Sequence, residues 1–239
     1  GHSDALGIIA QEDLGDVTLQ ARVGGDNIST HEALYREAVE LIHALQTRGR
    51  ECVSHTVPYT LAFDVEKLTF EFNFFTTHFL GGYRGITLSP AEQSQLAQEF
   101  ASIVDELAAE PRVVCHRDYH SRNLMLCRDA LYLIDFQDAR MGPDTYDLAS
   151  LLRDSYVDIT EAERTRLIAR FTALSGIVDE AEFRRRFDLM CVQRNIKALG
   201  TFGFQASVRG KRAYVADMPR TLRAVRDNLV KYERFAGLH

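Results

Sequence analysis

The sequence predicts an α+β domain that is mostly α, with a small β element set into its middle. Three observations lead there. Long segments with apolar residues at helical spacing occupy both halves of the chain. Between them lie three short apolar runs, 112–115, 124–127 and 131–134, the length of strands. No internal repeat, low-complexity stretch or long linker interrupts the 239 residues, and 46% hydrophobic content suffices to bury one large core.

The elements follow in order. "STHEALYREAVELIHALQTRG" places Ser29 three residues before Glu32, a capping-box spacing, repeats apolar residues at Leu34, Ala38, Leu41, Ile42 and Leu45, and is expected to stop at Gly49. A second helix is expected through "TLAFDVEKLTFEFNFFTTHFL" to Gly81 and Gly82, with Leu61, Val65, Leu68, Phe72, Phe75 and Phe79 on its buried face. "SPAEQSQLAQEFASIVDELAAE" supplies Ser89 as N-cap, Pro90 at the first helical position and Glu92 for the reciprocal bond. The second and third β runs are separated by "RDA", which suits a hairpin. "TYDLASLLRD", "TEAERTRLIARFTALSG", "DEAEFRRRFDLMCVQRNIKALGTFG" and "MPRTLRAVRDNLVKYERF" then return to helical periodicity.

Composition narrows the function. The apolar runs fall well short of the roughly 18 residues of a membrane span, and no signal peptide is visible. Cys52, Cys115, Cys127 and Cys191 form no C-x-x-C pair, which argues against a zinc site or a disulfide framework and fits a reducing cytoplasm. Neither nucleic acid nor membrane is expected as a partner. The net charge of −6 hides an asymmetry: residues 182–239 carry 13 Lys and Arg against 5 Asp and Glu, and the remainder 15 against 29. A polar helix face or a pocket for an anion accounts for the basic tail.

The densest polar run is "CHRDYHSRNLML" (115–126). Its charges cannot all be core, because an unpaired buried charge costs several kcal/mol. It is therefore a loop between strands, where sites are commonly built. His116, Asp118 and Asn123 make H-x-D-x-x-x-x-N, and Asp135 follows in "LIDFQDA". One loop can turn Asp118 and Asn123 toward a point, and a hairpin brings Asp135 to face them. One carboxylate and one amide oxygen suit Mg²⁺, which keeps water and phosphate on its other positions. A carboxylate not spent on the metal can accept a hydroxyl proton. The pattern matches the catalytic loop and metal-binding Asp of kinases, with Gln137 in place of the Gly of D-F-G and no A-P-E segment, which points to small-molecule kinases.

"CHRDYHSRNLML", "LIDFQDARMGPDTYDLASLLRD" and "QRNIKALGTFG" resemble the aminoglycoside phosphotransferase and choline kinase-like superfamily, and within it the anomeric kinases of N-acetylmuramate and N-acetylglucosamine in cell-wall recycling. The resemblance runs from about Ile8 to Tyr232 and implies the C-terminal lobe of a protein-kinase-like fold. It implies ATP and Mg²⁺ as cofactors and a sugar as acceptor. Asp118 becomes the catalytic base, Asn123 and Asp135 the metal ligands, and His116 and Asp147 supports of the loop; Asp147 reads equally as an aspartate favoured by a helix dipole. "EDLGD" (12–16) resembles the interlobe hinge, so Gln11, Glu12 and Asp13 become nucleotide contacts. His120 is a candidate for touching sugar or phosphate, and Arg194 or Lys197 for meeting an acceptor carboxylate; all three also read as solvated residues. An aminoglycoside or choline-type phosphotransferase and a non-catalytic binding lobe are the alternatives. The N-terminal lobe that would cover the nucleotide phosphates is not recognisable, so residues 1–27 are expected to be a tag remnant plus hinge and 28–239 the C-terminal lobe.

Overall fold

The computed structural model describes residues 1–24, 31–52 and 55–238. The expected cap Ser29 lies outside them. A two-residue hairpin, β1 (His2–Ser3) with β2 (Ile8–Ile9), precedes an extended stretch and the short helix α1 (Leu19–Val23). Leu19 and Val23 are fully buried, so the expected hinge segment reaches into the body of the lobe.

Helix α2 (Glu32–Glu51) runs two residues past Gly49. The reason is tertiary: a Cβ at Gly49 would sit 2.8 Å from Val114 Cγ2, so glycine here admits a strand against the helix and does not end it. Its buried stripe is Tyr35, Ala38, Val39, Ile42 and Gln46, and Leu34, Leu41 and Leu45 are only half-buried. The expected second helix is three pieces. A turn of helix α3 (Val57–Thr60) is followed by Leu61 in extended backbone, then α4 (Val65–Phe75), capped by Asp64. A π-helical segment, Thr76–Tyr83, continues it. Of the six expected apolar positions, Leu68, Phe72, Phe75 and Phe79 are buried and Leu61 and Val65 exposed. Helix α5 (Pro90–Ala108) starts at Ser89 with the full reciprocal capping box.

The β element is two antiparallel pairs. β4 (Leu124–Cys127) and β5 (Ala130–Leu133) form the hairpin, and Arg128 and Asp129 turn it with φ of 51° and 60°, the positive pair a tight two-residue turn requires. β3 (Arg112–Cys115) pairs with β6 (Arg140–Pro143), a strand with no signal in sequence, since "RMGP" has neither alternation nor β-branched residues.

The remaining helices are α6 (Tyr146–Leu152), α7 (Glu161–Ser175), α8 (Glu180–Ser207) and α9 (Met218–Leu229), with a 3₁₀ turn, Arg212–Asp217, before α9. α8 is the spine of the lobe: Phe183, Phe187, Met190, Leu199 and Phe202 are buried along it. Each such side chain contributes about 1.5–3 kcal/mol, which fixes the helix beneath the loop 116–123. α8 also crosses α4 and the π-helical segment closely. A Cβ on Gly203 would lie 2.5 Å from the His78 carbonyl oxygen. Among the described residues no helix is long and apolar enough to cross a membrane.

Candidate active site

The polar loop 116–123 leaves β3, and β4 follows it. Three groups hold it from below and behind. Asp147, at the start of α6 and fully buried, accepts from the backbone N–H of His116 at 2.7 Å and of Arg117 at 3.0 Å. Burial pushes the Asp147 carboxyl up, and the charge field of His116 and those two N–H groups oppose it. Asp154, also buried, accepts from Ser121 N and Tyr156 N, each at 2.9 Å. From the N-terminal side, Gln20 N donates to Ser121 O at 3.0 Å, and its side chain accepts from Arg122 Nε at 2.8 Å. His116 itself is buried with its ring edge-on to Tyr119 and takes no place in the cavity.

So braced, the loop presents Asp118 and Asn123 toward Asp135, which follows β5. Asn123 Nδ2 donates to Asp118 O at 2.9 Å and to Asp135 Oδ2 at 3.2 Å, and Gln137 Nε2 donates to Asp135 Oδ1 at 2.8 Å. Asp135 has φ of 67°, a left-handed conformation that costs a non-glycine residue about 1–2 kcal/mol per residue and clusters at functional sites. Gln137 thus caps the metal-ligand candidate from the position the protein-kinase motif gives to glycine. Turning the Asn123 amide over would set its oxygen beside the Asp135 carboxylate, so the pair fits a cation of the Mg²⁺ type, which takes few protein ligands. Among the described residues no cluster of three His, Cys, Asp or Glu could hold an ion, which leaves this mixed amide and carboxylate pair.

Asp118 and Asp135 open onto a cavity of about 330 Å³. Its floor is a stripe on α8, Arg194, Lys197, Thr201 and Gln205, residues three or four apart and therefore on one face. Lys197 Nζ lies 3.4 Å from Asp118 Oδ1, and Arg117 Nε 3.9 Å from Asp118 Oδ2. Burial opposes ionisation of Asp118, but Lys197, Arg194 and Arg117 outweigh it and hold the carboxyl well below the usual carboxylate range. Burial and the neighbouring Arg194 pull Lys197 downward, with Asp118 opposing. Arg194 donates to Tyr146 Oη at 3.0 Å and to Ser150 Oγ at 2.6 Å, so both of its terminal nitrogens are engaged. His120 lines the cavity edge-on to Tyr156, with Nδ1 buried and unpartnered. Desolvation pushes its pKa down. Two acceptors in the cavity wall, Asn195 Oδ1 and Gln205 Oε1, are also buried without a partner.

The structure therefore gathers Asp118, Asp135, His120, Arg194 and Lys197 around one space, bonds Asn123 to Asp118 and Asp135, and sets His116 and Asp147 beneath the loop. Gln11, Glu12 and Asp13 are exposed and lie outside the cavity wall; Glu12 reaches Arg128 at 4.0 Å and Asp13 accepts from Gly15 N. Asp154, Tyr156, Asn195 and Gln205 went unseen in the sequence, where each reads as an ordinary helix or turn residue. Helical spacing from Arg194 and Lys197 was the one signal that could have found Gln205.

Residues 5–186 match the profile of the phosphotransferase enzyme family. The chain is 35% identical, over its whole length and 72% of the relative's, to an N-acetylmuramate/N-acetylglucosamine kinase of Neisseria meningitidis. It is 30% identical to a protein of the same description from Pseudomonas putida, covering 87% of this chain and 61% of that one. The crystal structure of the choline kinase LicA from Streptococcus pneumoniae superposes with a TM-score of 0.57 at 17% identity, over 86% of this chain and 66% of that one. A loop of H-x-D-x-x-x-x-N type between two β pairs, a following aspartate and a helical body thus occur together with that fold and those relatives, and the chain belongs to the phosphotransferase enzyme family.

Proposed function

We propose that this chain forms the catalytic and acceptor-binding lobe of an ATP- and Mg²⁺-dependent kinase that phosphorylates the anomeric hydroxyl of an N-acetylated amino sugar, N-acetylmuramate or N-acetylglucosamine. The observation that carries the reading is the convergence of Asp118 and Asp135, the latter bonded to Asn123, on a polar cavity with unsatisfied hydrogen-bonding groups in its wall. Buried polar atoms without partners call for a ligand that supplies them, and a sugar with hydroxyls and an acetamido group does so. The relatives' names support the same acceptor.

In this mechanism the acceptor hydroxyl donates a hydrogen bond to Asp118 and is aimed at the terminal phosphoryl group of ATP. Mg²⁺, held by Asn123 and Asp135, would neutralise charge on the phosphates. The acceptor oxygen bonds to phosphorus as the bond to the β-phosphate oxygen breaks, that electron pair leaves with ADP, and the proton passes to Asp118. A carboxyl with so low a pKa is a weak base, so it first orients the hydroxyl and takes the proton in the same step in which the acceptor oxygen bonds to phosphorus. Asn195, Gln205 and His120 orient the acceptor. In the whole protein a further lobe would cover the nucleotide, in keeping with the relatives' greater length and with the exposed Phe136 beside Asp135.

A second reading, a cationic amino-alcohol acceptor, draws on Tyr156, Phe202 and Tyr214 in the cavity wall. Arg122 already lies over the Tyr156 ring at 3.5 Å and takes that cation site. The test is to incubate the two-lobed protein with ATP, Mg²⁺ and a panel of amino sugars, choline and an aminoglycoside, and to read the phosphorylated position by phosphorus NMR. Transfer to C1 of an N-acetylated amino sugar is expected; transfer to choline or the aminoglycoside alone would replace this acceptor with the second one.

A further inference from the structure

We infer that Lys197 is a catalytic residue: as Asp118 takes up the acceptor's proton, the Lys197 ammonium leaves it and hydrogen-bonds the phosphoryl group in transfer. The inference rests on the kinase reading above and adds to it the cation that stabilises the transition state, delivered by α8 and not by the catalytic loop.

The other cations around Asp118 are engaged by further partners. Arg117 forms an ion pair with Asp138. Arg122 is held by Gln20, by the face of Tyr156 and, at 3.8 Å, by Asp217. Arg194 is bound to Tyr146 and Ser150. Lys197 lies nearer the reacting carboxylate, Nζ to Oδ1 at 3.4 Å against 3.9 Å for Arg117 Nε to Oδ2, has no other carboxylate partner among the described residues, and its bond is long for a charge-assisted contact. It also has room to move. Its side chain lies between the main cavity and a second space of about 150 Å³ lined by Lys67, Phe70, Glu71, Phe74 and Arg117. The other carboxylate on that side, Glu71, is already engaged by Gln193 at 2.8 Å and by Lys67 at 3.7 Å.

Charge bookkeeping gives the motion a cause. Before transfer Asp118 is an anion and holds Lys197 against the repulsion of Arg194 and Arg117. When the acceptor's O–H bond breaks and its proton reaches Asp118, that attraction vanishes while both repulsions stay. The acceptor oxygen is within hydrogen-bond reach of Asp118 and is bonding to phosphorus, so the nearest anion is the phosphoryl group. An ammonium in a site shielded from water stabilises charge that develops there far more than it would in solvent.

The experiment uses the two-lobed enzyme with Lys197→Met, Lys197→Arg, Asp118→Asn and the Asp118→Asn/Lys197→Met pair. Two readouts are taken: kcat with KM for sugar and for ATP, and calorimetric affinity for MgADP with aluminium fluoride, a planar stand-in for the phosphoryl group, in the presence of sugar. Lys197→Met is expected to lower kcat by about 10²–10³-fold with either KM changed by less than about threefold, the signature of an interaction made only in the transition state. Affinity for the aluminium fluoride complex falls by about 10²-fold while affinity for MgADP alone is kept, and Lys197→Arg recovers part of both. In the Asp118→Asn background Lys197→Met still costs about tenfold or more. A raised sugar KM at unchanged kcat would make Lys197 an acceptor contact and overturn the inference. A double variant no slower than Asp118→Asn would also overturn it, by showing that Lys197 acts only through the carboxylate. Loss of MgADP affinity as well would mark a misfolded site, and Lys197→Arg then decides: without recovery of kcat or of aluminium fluoride affinity, the inference falls. Should the unsubstituted enzyme transfer phosphate to none of the panel, the kinase reading itself fails.

Discussion

Asp118 is the side chain whose surroundings say most about its work. Three cations keep it ionised against the cost of burial, so in the proposed mechanism it meets the acceptor as an anion. Asp118→Asn in the two-lobed protein is expected to lower kcat by about 10²-fold or more with little change in the unfolding transition, because the amide keeps the shape and loses the proton acceptor. Asp135→Ala should abolish Mg²⁺-dependent ATP binding in calorimetry while Asn123→Ala only weakens it, since the carboxylate brings charge and the amide a dipole. Asp147 answers to a different measurement. Removing its carboxylate strands the two buried N–H groups of His116 and Arg117, each at a cost of about 1–3 kcal/mol, so Asp147→Ala should shift the denaturant midpoint downward. The first three residues were legible in the sequence because Asp118 and Asn123 sit on one loop and Asp135 just beyond the hairpin that follows it. Asp154 was not, because it works through the backbone of Ser121 and Tyr156, and a backbone contact leaves no mark on residue type.

Helices and strands show where local rules gave way to packing. Ser89 and Thr160 cap their helices through full reciprocal boxes with Glu92 and Glu163, as three-residue spacing dictates. Gly49 did not stop α2 because Val114 needs the space a side chain would take. Gly203 serves a like purpose on α8, letting the π-helical segment approach the helix that floors the cavity. Gly203→Ala forces its methyl against the His78 carbonyl, which is backbone and cannot swing aside. A loss of about 1–3 kcal/mol in chemical denaturation is expected, with a further fall in acceptor affinity as the Lys197 face of α8 shifts. Strand β6 is set by its partner: Val113, Val114 and Cys115 offer β3's free edge, and the chain returning from Asp135 fills it whatever its propensity.

Across the whole molecule, a charge network away from the cavity ties α5 and α8 to the β element. Arg186 bonds Glu110 at 3.0 Å and Asp144 at 2.8 Å. Burial is the largest influence on Glu110 and, with Asp144 nearby, lifts its pKa from 4.5 to about 7 despite Arg186. The folded state therefore binds a proton at Glu110 more tightly than the unfolded one. Its contribution to stability is complete below pH 4.5 and is lost as pH rises to about 7. Relative to the parent, Glu110→Gln should gain stability between pH 5 and pH 8, by up to about 3 kcal/mol, in paired denaturant titrations. No gain across that range would place Glu110 as a fully compensated partner of Arg186.

By itself the sequence determined the mostly helical class, the capped helices, the β4–β5 hairpin and the loop carrying Asp118 and Asn123 with Asp135 beyond it. Each of these follows from contacts between residues close in the chain, where spacing is geometry. Tertiary structure alone decided which cations face Asp118, that Arg194 is spent on Tyr146 and Ser150, that Lys197 is not, and that β6 closes on β3. Lys197 and Asp118 are 79 residues apart. Nothing local relates them, and only the burial of α8's apolar side chains fixes which face that helix turns to the loop carrying Asp118.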